Sequence, residues 1–414
     1  MLTIKPLKAY RPIPELAAQI ASLPYDVINS DEAREAAQDK PNSFLHVIKA
    51  EIDFPPGIDS HAPQVYEQAR ANLYALIRDE KLRQEETDVF YIYQEIMNDR
   101  KQRGLVVCNA IDDYLKGRIK IHEHTRPDKE QDRIKHTDVC NANTGLIFLT
   151  YRSQEQIDQL VNNWIETHTP IYDFQSDDGI RHTVWRIDDG SLIKTLTAAF
   201  ARIDALYVAD GHHRIASAAK VGQMRREQHP GYHGNEPFNY FLSVLVPDDQ
   251  IHIMSYNRVV SDLHGLSAQA FLQRLNSAFD VQVCEHGPYH PEEVHRFGMF
   301  LEGKWYRLTA KAESYEARDP ISRLDVEILQ RKLLSPILGI NDPKSDTRID
   351  FVGGIRGSQE LERRVRTGMS AAFVLYPTSI EDVMAVADAG QVMPPKSTWF
   401  EPKLRSGLFV HTLS

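Results

Sequence analysis

The run Asp210-Gly211-His212-His213-Arg214 places four ionisable side chains within five positions. A short apolar stretch, Leu206-Tyr207-Val208-Ala209, leads into it, and a small-residue stretch, Ile215-Ala216-Ser217-Ala218-Ala219, leads away. This pattern reads as a strand, a tight turn and a helix. Glycine at the junction lets the backbone turn sharply and leaves amide N–H groups uncovered at the helix start, where the dipole favours anions. Cations in that first turn are opposed by the same dipole unless an anion neutralises them. Arg214 has the fork geometry for two phosphate oxygens, and Asp210 is suited to a magnesium ion bridging those phosphates. The chemistry implied is phosphate binding. A plain Asp-Gly turn with exposed histidines is the alternative.

A second cluster is His122-Glu123-His124-Thr125-Arg126-Pro127, continuing to Lys129, Arg133 and His136. Its histidines are two positions apart rather than four, so a zinc site of the HExxH kind on one helical face is unsupported. In an extended segment His122 and His124 point one way and Glu123 the other. On the helix that follows, Lys129, Arg133, His136 and Cys140 share one stripe. A basic stripe on an acidic chain suggests an anion nearby; a solvated face balanced by Glu130 and Asp132 is the alternative. Weaker signals are a glycine turn bearing Arg356 within 350–357, and Lys396, Lys403 and Arg405 set between prolines. Pro24-Tyr25-Asp26-Val27 reads either as the lip of a site or as a turn. No phosphate-binding loop of the GxxxxGK[ST] type, kinase signature set, GxSxG elbow or full Rossmann fingerprint is present.

The elements that must position these clusters follow from periodicity and punctuation. A helix is expected to start near Asn29, capped with Glu32 reaching back, and another over 65–82. Two β-rich runs, 89–96 and 105–111, read as a hairpin around a polar turn at 98–104. Strands at 119–121, 146–151, 184–187 and 206–209 then alternate with helices at 128–141, 154–167, 192–201 and 211–222. Such alternation predicts a mixed α/β sheet. The polar stretch 225–237 marks a boundary, beyond which 240–246 and 251–260 are expected to open a second α+β region. A late helix over 380–389 carries Thr378 and Glu381 as a capping box and Gly390 as its stop.

The whole chain bounds the function. Its 414 residues suggest two or three domains. With 48 Lys and Arg against 58 Asp and Glu, the formal charge is −10. Nucleic acid and anionic membranes are therefore unexpected partners, and any anion site must be local. Three cysteines, Cys108, Cys140 and Cys284, form neither a disulfide framework nor a CxxC pair. There is no stretch of membrane-span length and no signal-peptide pattern, so a soluble, cytoplasmic protein is expected.

Along nearly its whole length the chain resembles the bacterial family catalogued as domain of unknown function 1015. The matching segments are Leu23–Val27, His122–Thr125 with Arg133 and Asn143, Asp210–Arg214, Asp350–Gly357, Pro395–Thr398 and Lys403–Gly407. More remotely, the Asp-Gly-His-His-Arg run resembles the signature of free-serine kinases of the ParB/sulfiredoxin-like superfamily. Those proteins carry a His-Glu pair, then a helical arginine, then a strand–turn–helix with the Asp-Gly-His element; here the order is His122-Glu123, Arg133, Asp210–Arg214. This chain places far more residues between the elements, including the 154–187 block.

The resemblance implies an α/β to α+β chain: an N-terminal α+β region over 1–112, a mixed-sheet ParB/sulfiredoxin-like catalytic core over 113–230, and a C-terminal α+β region over 231–414. It implies a kinase transferring a phosphoryl group from ATP or ADP, with Mg2+, to the hydroxyl of a free amino acid, L-serine foremost. Glu123 would be the general base, with Asp210 beside it holding magnesium through the phosphates. Gly211, His212, His213, Arg214, Arg133 and Lys129 would surround the nucleotide's phosphates, and His122, Thr125, Asn143, Tyr25 and Asp26 the acceptor. A homodimer is compatible with this expectation. Two other classes stay open: a nucleotide-binding sensor of ParB-like type without turnover, and a metal-dependent hydrolase built on His122, His124, His212 and His213.

Overall fold

The strand Leu206–Asp210 lies second from the edge of a nine-stranded mixed sheet in the computed structural model, which describes residues 1–414. It pairs in parallel with Ile119–Lys120 at the edge and antiparallel with Ile147–Tyr151 on its other side. Next comes Tyr240–Pro247, parallel to Ile147–Tyr151 and antiparallel to Arg100–Ala110. Phe90–Met97, Arg181–Ile187 and Tyr172–Gln175 complete the path, and Ile4–Lys5 also pairs with Arg100–Ala110. The first hairpin turns more tightly than expected. Asn98 and Asp99 both take positive φ, 47° and 65°, as a two-residue turn matched to strand twist requires, so the second strand starts at Arg100.

The chain divides into two units: Met1–Ile251 with Pro402–Ser414, and His252–Glu401. This differs from three successive regions. The hairpin from the expected N-terminal region and Tyr240–Pro247 from the expected C-terminal one share the sheet that carries Leu206–Asp210. Tyr240–Pro247 is buried along almost its whole length, as a central strand covered on both faces must be. It closes the first unit rather than opening the second.

Helices pack the sheet because their apolar faces have no other place to go. Ile215, Ala218 and Ala219 of the helix His212–Gln228 join a core with Val208, Ile147 and Ile119, together with Leu196 and Phe200 of Gly190–Phe200. A second core gathers Val65, Ala69 and Leu73 of the helix Pro63–Arg78, Phe44, Val47 and Ile48, and Cys140 of Pro127–Cys140. The helix that starts at Ser30 has the expected capping box: the Asn29 side chain accepts from Glu32 N–H, and Glu32 Oε2 accepts from Asn29 N–H.

The unit His252–Glu401 holds a six-stranded antiparallel sheet, in the order Phe279–Cys284, Lys304–Ala310, Arg296–Leu301, Ala371–Leu375, Tyr256–Val260, Ile349–Gly353. The late helix runs Ile380–Asp388, and its cap is Ser379, whose hydroxyl accepts from Asp382 N–H. Thr378, the expected cap, instead donates to the Ser397 carbonyl. No helix is long and apolar enough to cross a membrane.

Candidate functional site

Gly211 is the hinge of the strand–turn–helix. Its φ of +96° is left-handed, which side chains with a Cβ resist. A Cβ there would also lie 3.0 Å from Arg214 Nε, because the guanidinium folds back over the turn. Gly211 N–H donates to Asp210 Oδ1 at 3.0 Å. Arg214 is thereby held over the turn, with Nη2 3.5 Å from Asp210 Oδ2 and 3.9 Å from Asp26 Oδ2, while Nη1 donates to the Leu146 carbonyl. Its Nε is buried and has no partner. Lys403 approaches the same Asp210 oxygen, at 3.5 Å. Burial alone would raise the Asp210 carboxyl, but Lys403 and then Arg214 hold it well below the usual carboxylate range.

The two sequence clusters meet here. Parallel pairing of Ile119–Lys120 with Leu206-Tyr207 carries the chain past His122 alongside the turn. The His122 and His212 rings lie edge to face, centroids 4.5 Å apart. One turn further, Arg126 N–H donates to His213 Nε2 at 3.0 Å, across 87 positions of chain. As an acceptor, that Nε2 carries no proton, so the ring proton sits on Nδ1.

Burial decides the charge state of the inner pair. It pushes His122 down to about 4, against a hydrogen bond with the Val208 backbone that pulls the other way. Burial, reinforced by neighbouring His122, takes His212 well below its ordinary value. Both imidazoles are therefore neutral at pH 7, and Arg214 and Lys403 are the cations beside Asp210. His212 Nε2 is buried and without a partner.

The backbone bends at residues 122 and 123. His122 is consequently buried and His124 exposed, instead of both pointing one way as a straight strand would have them. Glu123 is half-buried between them.

Beyond Lys129, the stripe on Pro127–Cys140 is covered rather than solvated. His136 and Cys140 are buried against the 44–78 helices, and His136 Nε2 bonds the Val47 carbonyl at 3.0 Å. Burial, then Arg133, pushes His136 down to about 4. Arg133 makes a two-pronged pair with Asp132, at 2.9 and 2.7 Å, and its guanidinium lies 4.0 Å from the Tyr25 ring centroid. Tyr66 fixes Asp132 from the other side at 2.8 Å. Lys129, one turn earlier, is exposed. Thr125 donates to Glu130 at the start of that helix.

A cavity joins several of these groups. Tyr25, Arg133, Asn143, Thr144, Arg214 and Ser217 line it, with Ser406 from the 402–414 segment. Asn143 Oδ1 also accepts from Leu242 N–H at 3.2 Å, which ties its side chain to the central strand. The residue pattern pointed to Tyr25, Arg133 and Arg214, and the family resemblance to Asn143; neither gave a role to Thr144, Ser217 or Ser406, which carry no spacing signal. Both also missed the pairing of Lys403 with Asp210, although the proline-flanked cations at 402–407 were conspicuous.

The histidines are not disposed as a metal cage. No group of three or more His, Cys, Asp or Glu side chains is arranged to hold a metal ion. His122 and His213 spend ring nitrogens on backbone groups, and His124 lies in solvent. Asp210 offers one carboxylate, the kind of hard oxygen donor that a magnesium ion takes.

Among solved structures, a free serine kinase mutant in complex with AMP is similar at 12% identity and a TM-score of 0.39, over 74% of this chain and 92% of that one. A free serine kinase in complex with ADP, also a mutant, has 13% identity and a TM-score of 0.38, over 74% and 92%. The SbnI protein of Staphylococcus aureus, with a C-terminal truncation, is similar at 12% identity and 0.38, over 72% and 82%. A search of curated proteins finds no match. The family model described as protein of unknown function (DUF1015) matches residues 4–327, and the chain belongs to that family.

Proposed function

We propose that the protein is a nucleotide-dependent phosphotransferase acting on the hydroxyl of a small free amino acid, L-serine foremost. The observation that carries this reading is the convergence at Asp210: a glycine turn at a helix start, a folded-back guanidinium and a lysine ammonium meet beside a His-Glu segment. Phosphoryl transfer asks little covalent chemistry of a protein; it asks for positioning and for neutralisation of charge spread over phosphate oxygens. Arg214, Lys403 and the amides that follow Gly211 meet that demand. Asp210 would hold magnesium, which would supply neutralisation of the phosphates' negative charge.

A serine hydroxyl is a weak nucleophile and needs a base to take its proton during attack. Glu123 is the carboxylate in the segment that packs against the turn, and its order relative to Arg133 and Asp210–Arg214 resembles that of free-serine kinases. The neutral His122–His212 pair adds no positive charge beside that base. The cavity bounded by Tyr25, Arg133 and Asn143 presents guanidinium groups from Arg133 and Arg214, which match the carboxylate of a small amino acid. Lys129 and Thr125 lie at the start of the adjoining helix and take outer places in this arrangement.

The test is direct. Purified protein is incubated with ATP or ADP, magnesium and a panel of amino and hydroxy acids, and products are resolved by mass. A phosphorylated amino acid supports the reading. Nucleotide binding without transfer to any acceptor favours a sensor instead, and absence of both removes the proposal.

A further inference from the structure

The residues 402–414 return to the first unit and thread between its elements. Ser406 and Ser22 bond each other's backbone in both directions, at 3.0 and 2.9 Å, and Tyr10 and Val410 do the same at 2.9 Å. His411-Thr412 pairs with Ala142-Asn143 beside the cavity. Gly407 has φ +91°, and a Cβ there would lie 2.7 Å from Phe44 Cγ, so the segment enters by a path that only glycine permits.

The segment is anchored by a buried guanidinium. Arg405 is 4% exposed and pairs with Asp178 through Nη2, which also donates to Ser176 Oγ at 3.1 Å. Its Nε donates to His182 Nε2 at 3.3 Å. On the other face of that imidazole, Nδ1 bonds the Tyr93 hydroxyl at 2.8 Å. A single charge pair at the surface would not justify this much buried polar structure, since exposed pairs contribute little. What the anchor fixes, two residues earlier, is Lys403, with its ammonium 3.5 Å from Asp210 and its side chain mostly buried.

We propose that Lys403 is a phosphate-binding residue of the nucleotide site, delivered by the 402–407 segment and positioned by Arg405. The inference rests on the phosphotransferase reading and extends it. Without ligand, the ammonium and Arg214 share the Asp210 carboxylate. When a nucleotide's phosphates arrive at the Gly211 turn, both cations have a second anion within reach, and Asp210 is left free to take the metal. A lysine serves here because three rotatable donors on a flexible stem can pivot from carboxylate to phosphate without moving the backbone. Arg405, whose planar fork is spent on Asp178, Ser176 and His182, holds the backbone still.

The experiment is calorimetric titration of the full chain with ADP, with pyrophosphate and with adenosine. Wild type is expected to bind ADP and pyrophosphate. Lys403→Met is expected to weaken both tenfold or more and to leave adenosine binding unchanged, with Lys403→Arg recovering part of the loss. Arg405→Ala is expected to weaken ADP as Lys403→Met does, and Arg405→Lys to restore part of that affinity. A merely structural role would lower adenosine and ADP affinity together. If wild type binds ADP and Lys403→Met binds it equally well, this inference fails while the phosphotransferase reading stands. If wild type binds neither ADP nor pyrophosphate, both fail.

Discussion

Arg214 folds back so that its Nη2 stands 3.5 Å from Asp210, four residues earlier across the left-handed Gly211. Strand end, turn and first helical turn are thus one charged unit rather than three neighbours, and the space left by the missing Cβ is what lets the guanidinium lie there. Changing any member should disturb the others.

Gly211→Ala is expected to destabilise the first unit by roughly 1–2 kcal/mol, the cost of forcing a Cβ into the left-handed region. It should also displace Arg214. Urea unfolding gives the first quantity; a loss of ADP affinity larger than the loss of stability at the assay temperature would report the second.

Asp210→Asn removes the carboxylate that Lys403 and Arg214 share. Two mostly buried cations left without it should cost about 1–3 kcal/mol. Magnesium dependence of nucleotide binding should disappear, because the one carboxylate assigned to the metal is gone. Titrating ADP with and without magnesium against the variant measures this.

Glu123→Gln keeps the shape of the side chain and removes its basicity. Turnover is expected to fall by about 10²–10⁴-fold, the usual contribution of a general base, with nucleotide affinity little changed. A variant with normal turnover would move the base elsewhere in the site.

Acid should weaken the first unit in a defined window. His136, ordinarily near 6.5, is held down to about 4 by burial and by Arg133, and His122 is similarly depressed. The unfolded chain therefore binds protons below pH 6.5 that the folded chain refuses until about pH 4. Stability must fall as pH drops through that interval, by up to about 1.4 kcal/mol per pH unit for each such group, and is fully present above it. Asp210, depressed in the folded state, adds a loss of the same direction at lower pH. Urea midpoints measured from pH 7 to pH 4 should show the decline, and His136→Gln should flatten it by about one proton.

The Asp210–Arg214 turn was legible in the sequence because all its parts are local: an apolar run, Asp-Gly, two histidines, an arginine and a small-residue helix lie within fifteen positions. Helix starts were legible for the same reason, as the Asn29–Glu32 box illustrates, although the choice between Thr378 and Ser379 needed the backbone. Strand partners were not legible. Tyr240–Pro247 is an apolar run whose side chains say that it is buried but not which strands flank it, so its place in the first unit's sheet needed the backbone. Lys403 read as a loop cation because an ion pair with a residue so distant in sequence leaves no periodic trace. The alternation rule misjudged His122 and His124 because it assumes a straight segment, and this one bends.

Phosphorus NMR of the protein with ADP or ATP, magnesium and L-serine tests the central claim most directly. A new phosphomonoester resonance, growing as the nucleotide loses a phosphoryl group and absent with Glu123→Gln, is the predicted result. An unchanged spectrum with every acceptor offered, from a protein that also binds no nucleotide, would contradict it.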